Sequence, residues 1–181
     1  MINKKNVMAV IGWVVLVLVL LGIDQYTKYM AITVLKEKED IVFLKNILSF
    51  SYVENTGAAW GIFSGKIPLF VVITVILVAA ILFVVYRLQF AVNEKNRNII
   101  FITKLDLIIL VAGALGNLID RIWHGYVVDF IKTDFIEFPV FNVADCYVTV
   151  SIFLLVILIL FFMKEEDLDK VFAIKKKTSG E

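Results

Sequence analysis

The sequence predicts an all-α membrane protein, with four transmembrane helices and a small β-hairpin outside the bilayer. Three observations carry this. Of 181 residues, 61% are hydrophobic and 19% charged, against about 25% charged in an average soluble domain. The apolar residues gather in four long runs, and a bilayer-spanning helix needs roughly 20 of them. Basic residues are denser in alternate connections, as they are when those connections face the cytoplasm. Mean hydropathy is +0.91, and a water-soluble fold of this length cannot bury so much apolar surface.

The first run extends from Val7 to Ile23, after Lys4 and Lys5. It resembles a signal peptide only in part: its 17 apolar residues exceed the usual h-region and no small-residue cleavage pattern follows. A retained helix is expected, and nothing breaks it before Asp24, Gln25, Thr27 and Lys28. Asp24 and Lys28 stand four apart and can pair on one helix face. Ile41 to Val53 reads as a hairpin turning at Lys45-Asn46, with apolar side chains suited to the lipid interface. The second span runs from Ile67 to Tyr86 with Pro68 in its first turn, where the missing N–H costs little. The third, Leu105 to Ile119, is short and carries Asp106 and Gly113. The fourth runs from Val143 to Met163, and a charged, solvated tail is expected over 164–181. With no internal repeat, the whole chain, 1–181, reads as a single integral membrane unit.

With the N-terminus inside, the inner segments (1–6, 87–104 and 164–181) hold 11 Lys and Arg in 42 residues, and the outer ones (24–66 and 120–142) hold 7 in 66. Both termini are therefore expected in the cytoplasm and the two longer loops outside. Net charge of +1 gives no argument for a nucleic-acid partner. One histidine, His124, and one cysteine, Cys146, argue against zinc or haem and against a Ser-His-Asp or Cys-His site. His124 reads as an interfacial loop residue and Cys146 as a packing residue.

Ionised carboxylates near hydrocarbon are costly. Three acids nevertheless sit in apolar surroundings on the outer side: Asp120 in GALGNLIDR (113–121), Asp129 in VVDF (127–130) and Asp145 in FNVADC (141–146). Asp120 has a structural reading beside Arg121 and Asn117, whose side chains lie within reach on a helix. Gly113, Ala114 and Gly116 allow close helix contact. Asn142 is a plausible N-cap for the fourth helix, which puts Asp145 at the third helical position, where free N–H groups favour its charge. Asp129 reads as a loop residue, with Lys132 its nearest basic neighbour in sequence. Spacing alone leaves two readings of Asp129 and Asp145. They cap helices, or they lie close enough to share one proton and act as acid and base. NTGAAWG (55–61) is equally open: a backbone approach to a ligand, with Asn55 bonding an extended peptide, or a re-entrant turn packed on the helices. Trp60 and Trp123 suit an interfacial belt.

These motifs together resemble the lipoprotein signal peptidase (signal peptidase II) family of bacterial aspartyl peptidases. DQYTK (24–28), NTGAAWG, GALGNLIDR, VVDF and FNVADC stand in the family's order over nearly the whole chain. Ala112 departs from a second glycine that the family often has there, and alanine is also small. The resemblance implies catalytic roles for Asp129 and Asp145, and supporting roles for Asp24, Lys28, Asn55, Gly57, Asn117, Asp120, Arg121 and Asn142. It also implies an extracytoplasmic β-cradle and a diacylglyceryl prolipoprotein substrate, cut just before the lipidated cysteine. No metal or other cofactor is implied; membrane lipid is the expected surrounding, a monomer the expected state and the bacterial plasma membrane the expected location. The rival readings are a small transporter or proton-relay subunit, whose acids would be spread in depth, and a non-catalytic assembly factor.

Overall fold

The computed structural model describes residues 4–57 and 65–172, with side chains from residue 7 onward. Trp60 and most of the 55–61 motif lie outside the described residues, as does the tail from 173. The elements are α1 (Lys4–Leu35), β1 (Ile41–Leu44), β2 (Leu48–Asn55), α2 (Ile67–Leu88), α3 (Arg97–Trp123), β3 (Val127–Thr133), α4 (Val143–Ile157), one π-helical turn (Leu158–Phe162) and α5 (Glu165–Phe172). Four of these helices are long and apolar enough to cross a membrane.

Helix α3 is the hub, packing against α1, α2 and α4. Its small residues explain the approach of α4: a Cβ on Gly113 would stand 2.7 Å from the Ala144 carbonyl oxygen, and one on Gly116 would stand 3.1 Å from the Ala144 side chain. Both α1 and α3 outrun their apolar runs. Past Ile23, α1 continues because Ala31 and Leu35 are buried against Val128 and Phe130 of the sheet. Helix α3 starts at Arg97, not near Leu105, because no breaker follows Asn96 and Ile100 packs against Leu88 and Ala91.

The hairpin turns where expected, with Asn46 at φ 61° in the left-handed region that asparagine tolerates. The sheet has a third strand where the sequence predicts a loop. VVDF lies in β3, which pairs antiparallel with β2, Asn55 opposite Val127 and Leu48 opposite Thr133. This short run is broken by Asp129 and carries no alternation, and its strand partner is more than 70 residues away. At the opposite end, α5 corrects the solvated-tail expectation. Val171 is buried with Leu88, Ala91 and Leu107, and Asp167 accepts a 2.6 Å hydrogen bond from Asn96 Nδ2.

Candidate active site

Asp129 comes from β3 and Asp145 from the first turn of α4. Asn142 brings them together. It is the N-cap of α4: its Oδ1 accepts from the Asp145 N–H at 2.9 Å, and its own N–H donates to Asp145 Oδ2 at 3.1 Å, a reciprocal capping box. The Asn142 amide nitrogen then donates to Asp129 Oδ1 at 2.6 Å and to Asn117 Oδ1 at 3.1 Å. Asn117 Nδ2 donates to Asp145 Oδ1 at 2.7 Å, and Asn55 Nδ2 to Asp129 Oδ2 at 2.8 Å. Every oxygen of the two carboxyl groups thus has a donor. Asp129 is buried. Burial, and next the nearby Asp145 carboxylate, push its pKa up to about 7, against the pull of the Asn55 and Asn142 hydrogen bonds.

Beneath this pair lies an ionic cluster, also buried. Lys28 Nζ meets Asp24 Oδ2 at 2.9 Å, Asp120 Oδ2 at 3.0 Å and Asn117 Oδ1 at 2.9 Å. Because Lys28 and Asn142 both donate to the Asn117 oxygen, its amide nitrogen is left to face Asp145. Asp24 Oδ1 accepts from the Ala144 N–H at 2.9 Å, and Asp120 Oδ2 from the Val128 N–H at 3.1 Å. The expected Asp24–Lys28 pair is present. The pairing of Asp120 with Arg121 is not. Asp120 turns to Lys28 while Arg121 points elsewhere, its Nη2 donating to the Gly57 carbonyl at 3.3 Å and its guanidinium lying 4.9 Å from the Phe70 ring centre. Lys132, the basic residue nearest Asp129 in sequence, pairs with Asp40 at 2.7 Å; three positions apart on a strand, Asp129 and Lys132 face opposite ways.

Asn55, Gly57, Asn117, Arg121, Asp129 and Asp145 all line one cavity of about 510 Å³. One wall is the apolar strap Phe138 to Phe141, tied to β3 by the Phe141 N–H donating to the Ile131 carbonyl at 3.0 Å. Cys146 lines the cavity too. Nothing in DQYTK itself assigns a role to Gln25. Its Nε2 donates to Asp120 Oδ1 at 2.9 Å and to Asp24 Oδ2 at 3.1 Å, joining two acids whose adjacency only the helix packing reveals. The strap left no signal beyond its apolar residues.

The profile of the family described as signal peptidase (SPase) II matches residues 16–161. The chain belongs to the signal peptidase II family. It is 41% identical over 163 residues to the lipoprotein signal peptidase of Lactobacillus gasseri, covering 90% of this chain and 99% of that one. With the lipoprotein signal peptidase of Clostridium tetani it shares 41% over 156 residues, 83% of this chain and 93% of the relative. With that of Staphylococcus aureus it shares 39% over 153 residues, 83% and 89% of the two chains. Two solved bacterial membrane enzymes superpose with TM-scores of 0.68. One is 31% identical and covers 94% of each chain; the other is 33% identical and covers 84% of this chain and 94% of its own. As a signal peptidase II family member, the protein is a multi-pass bacterial membrane peptidase. The transporter and assembly-factor readings fall away.

Proposed function

We propose that the protein is an aspartyl endopeptidase that removes signal peptides from diacylglyceryl-modified prolipoproteins, with Asp129 and Asp145 as its catalytic pair. The observation that carries the reading is one asparagine, Asn142, hydrogen-bonded to both acids at the wall of the cavity. Asp145, at the N-terminal turn of α4, is the ionised base, because free helix N–H groups favour a carboxylate. Asp129, whose carboxyl is pushed up to about 7, holds the shared proton. Asp145 takes a proton from water, and the oxygen attacks the carbonyl before the lipidated cysteine. Asp129 hydrogen-bonds that carbonyl as its oxygen gains charge. The proton on Asp145 then passes to the departing amine, leaving one proton on the pair. The mechanism needs no metal.

Asn55, Asn117 and Asn142 orient the two carboxyl groups in this reading, and Asp24, Lys28 and Asp120 fix Asn117. Arg121 and Gly57 edge the cavity where an extended peptide would lie. Both termini are cytoplasmic, the sheet and the acids are extracytoplasmic, and the substrate enters sideways from the outer leaflet with its acyl chains left in lipid. The enzyme acts as a monomer.

A gel-shift cleavage assay of the purified protein on a diacylglyceryl prolipoprotein tests this. Asp129→Asn and Asp145→Asn should each abolish cleavage while the protein still folds, and the double variant should lose no more than either alone. EDTA should leave the wild type active. A single variant with most of its activity, or a chelator-induced loss reversed by zinc, would overturn the mechanism.

A further inference from the structure

Helices α2 and α4 both lean on α3 rather than on each other, leaving a groove along α3. Near the middle and inner end of the bundle this groove opens into an apolar hollow of about 260 Å³. Leu77, Ala80 and Ile81 form the α2 wall, Leu155 and Ile159 the opposite wall, and Leu168, Val171 and Phe172 of α5 the floor. The back wall is continuous with the candidate active site. Thr103, Leu107 and Leu110 line the hollow, Asn117 and Arg121 line the upper cavity, and half-buried Ala114 stands between them. Those positions follow at spacings of four and three, which is one face of a helix.

We infer that this groove is the track for the substrate's own signal segment, whose apolar stretch lies against α3 and whose basic start meets the acidic face of α5. The inference rests on the function proposed above. Length supports it. From Asn117 to Thr103 the α3 face rises about 21 Å at 1.5 Å per residue, and a signal h-region of roughly 7–15 residues spans about 10–22 Å as a helix. Polarity supports it as well. A signal peptide carries its positive charges before the apolar stretch. With the scissile bond at the aspartates, those charges arrive at the floor. Besides the buried Asp167, helix α5 holds Glu165, Glu166 and Asp169 toward its outside against one Lys170. Glu165 precedes Leu168 and Phe172 by three and seven positions, so it shares the floor's face.

The test uses the full-length enzyme in detergent with two substrates: a diacylglyceryl prolipoprotein, and a lipopeptide trimmed to the residues around the cut. Ala80 is exposed on the α2 wall, so Ala80→Trp fills the groove without touching the core. It should raise KM for the full substrate about tenfold at unchanged kcat, the pattern of lost uniform binding, and leave the trimmed lipopeptide unaffected. Glu165→Lys with Asp169→Lys should raise KM likewise, and a substrate whose basic start is made acidic should recover it. A third arm needs no variant. A full-length analogue with a methylene-amine in place of the scissile amide, bearing a photoreactive group in its apolar stretch, should label 77–84 and 103–114 of the wild type. Unchanged KM in both variants, or label confined to α1, would overturn the track and leave the peptidase assignment standing. Wild-type enzyme that cuts neither substrate would overturn both.

Discussion

Asp129 and Asp145 carry the same functional group in different surroundings. Asp145 sits on a helix N-terminus inside a capping box, whereas Asp129 lies on a strand beneath apolar neighbours, its pKa pushed up to about 7 by burial and then by Asp145. A carboxyl raised in this way keeps its proton below about 7 and loses it above. Since the mechanism needs that proton, kcat/KM should fall as pH rises through about 7. The Asn55 hydrogen bond favours the charged form of Asp129 and so holds its pKa down. Asn55→Ala should therefore move the alkaline limb of the pH–rate profile to higher pH. It should also lower the peak rate by the equivalent of ~1–3 kcal/mol, the usual loss when a buried partner is removed. An unmoved limb would show that Asn55 does not bear on that proton. The Asn142 cap and the Asp24–Lys28 pair were legible in the sequence because both partners lie within one helical turn. Gln25 and the turning of Asp120 to Lys28 were not, because their partners sit on other helices and identity alone does not say which acid a lysine meets.

Among elements, the junction of α1, α3 and α4 leaves the least room. A methyl group on Gly116 would stand 2.5 Å from Asp24 Oδ2, and one on Gly113 would meet Ala144, Val148 and Tyr147 within 2.7–3.0 Å. Gly12 and Gly22 meet nothing within 4 Å. Gly113→Ala and Gly116→Ala should each cost ~1–3 kcal/mol, the range of overpacked substitutions, and Gly116→Ala should also cut activity by displacing Asp24. Gly12→Ala and Gly22→Ala should leave the thermal midpoint in detergent at or above the wild-type value, since alanine is the better helix former. Equal midpoints for all four variants would mean the helices pack less tightly than the geometry has them. Helix existence was plain from hydropathy. Helix ends were not, because the outer part of α1 is held by the sheet and the start of α3 by Leu88 and Ala91. The third strand stayed hidden for a similar reason: its pairing is long-range, and β3 is buried over its first four residues instead of alternating.

For the molecule as a whole, the basic-residue bias of 11 in 42 against 7 in 66 predicts both termini inside. Reporter fusions after Gly65 and Thr133 should read as extracytoplasmic, and fusions after Asn93 and Lys177 as cytoplasmic. The reverse pattern would place the aspartates where exported precursors do not go. The ionic cluster under the pair bears on how such a protein is made. Asp24 and Lys28 lie on the same helix and pair within one turn, so α1 carries these two charges into the bilayer already neutralised by each other. The groups that complete the cluster, Asn117, Asp120 and the Ala144 N–H, are synthesised roughly ninety residues later or more. Asp145, in the last long helix, comes later still. An unfinished chain halted before α4 therefore holds Asp129 without Asp145 and without Asn142, and should be inert on the proposed mechanism. On the proposed mechanism the catalytic pair is complete only once α4 has been made, so copies halted before it should cut none of their neighbours.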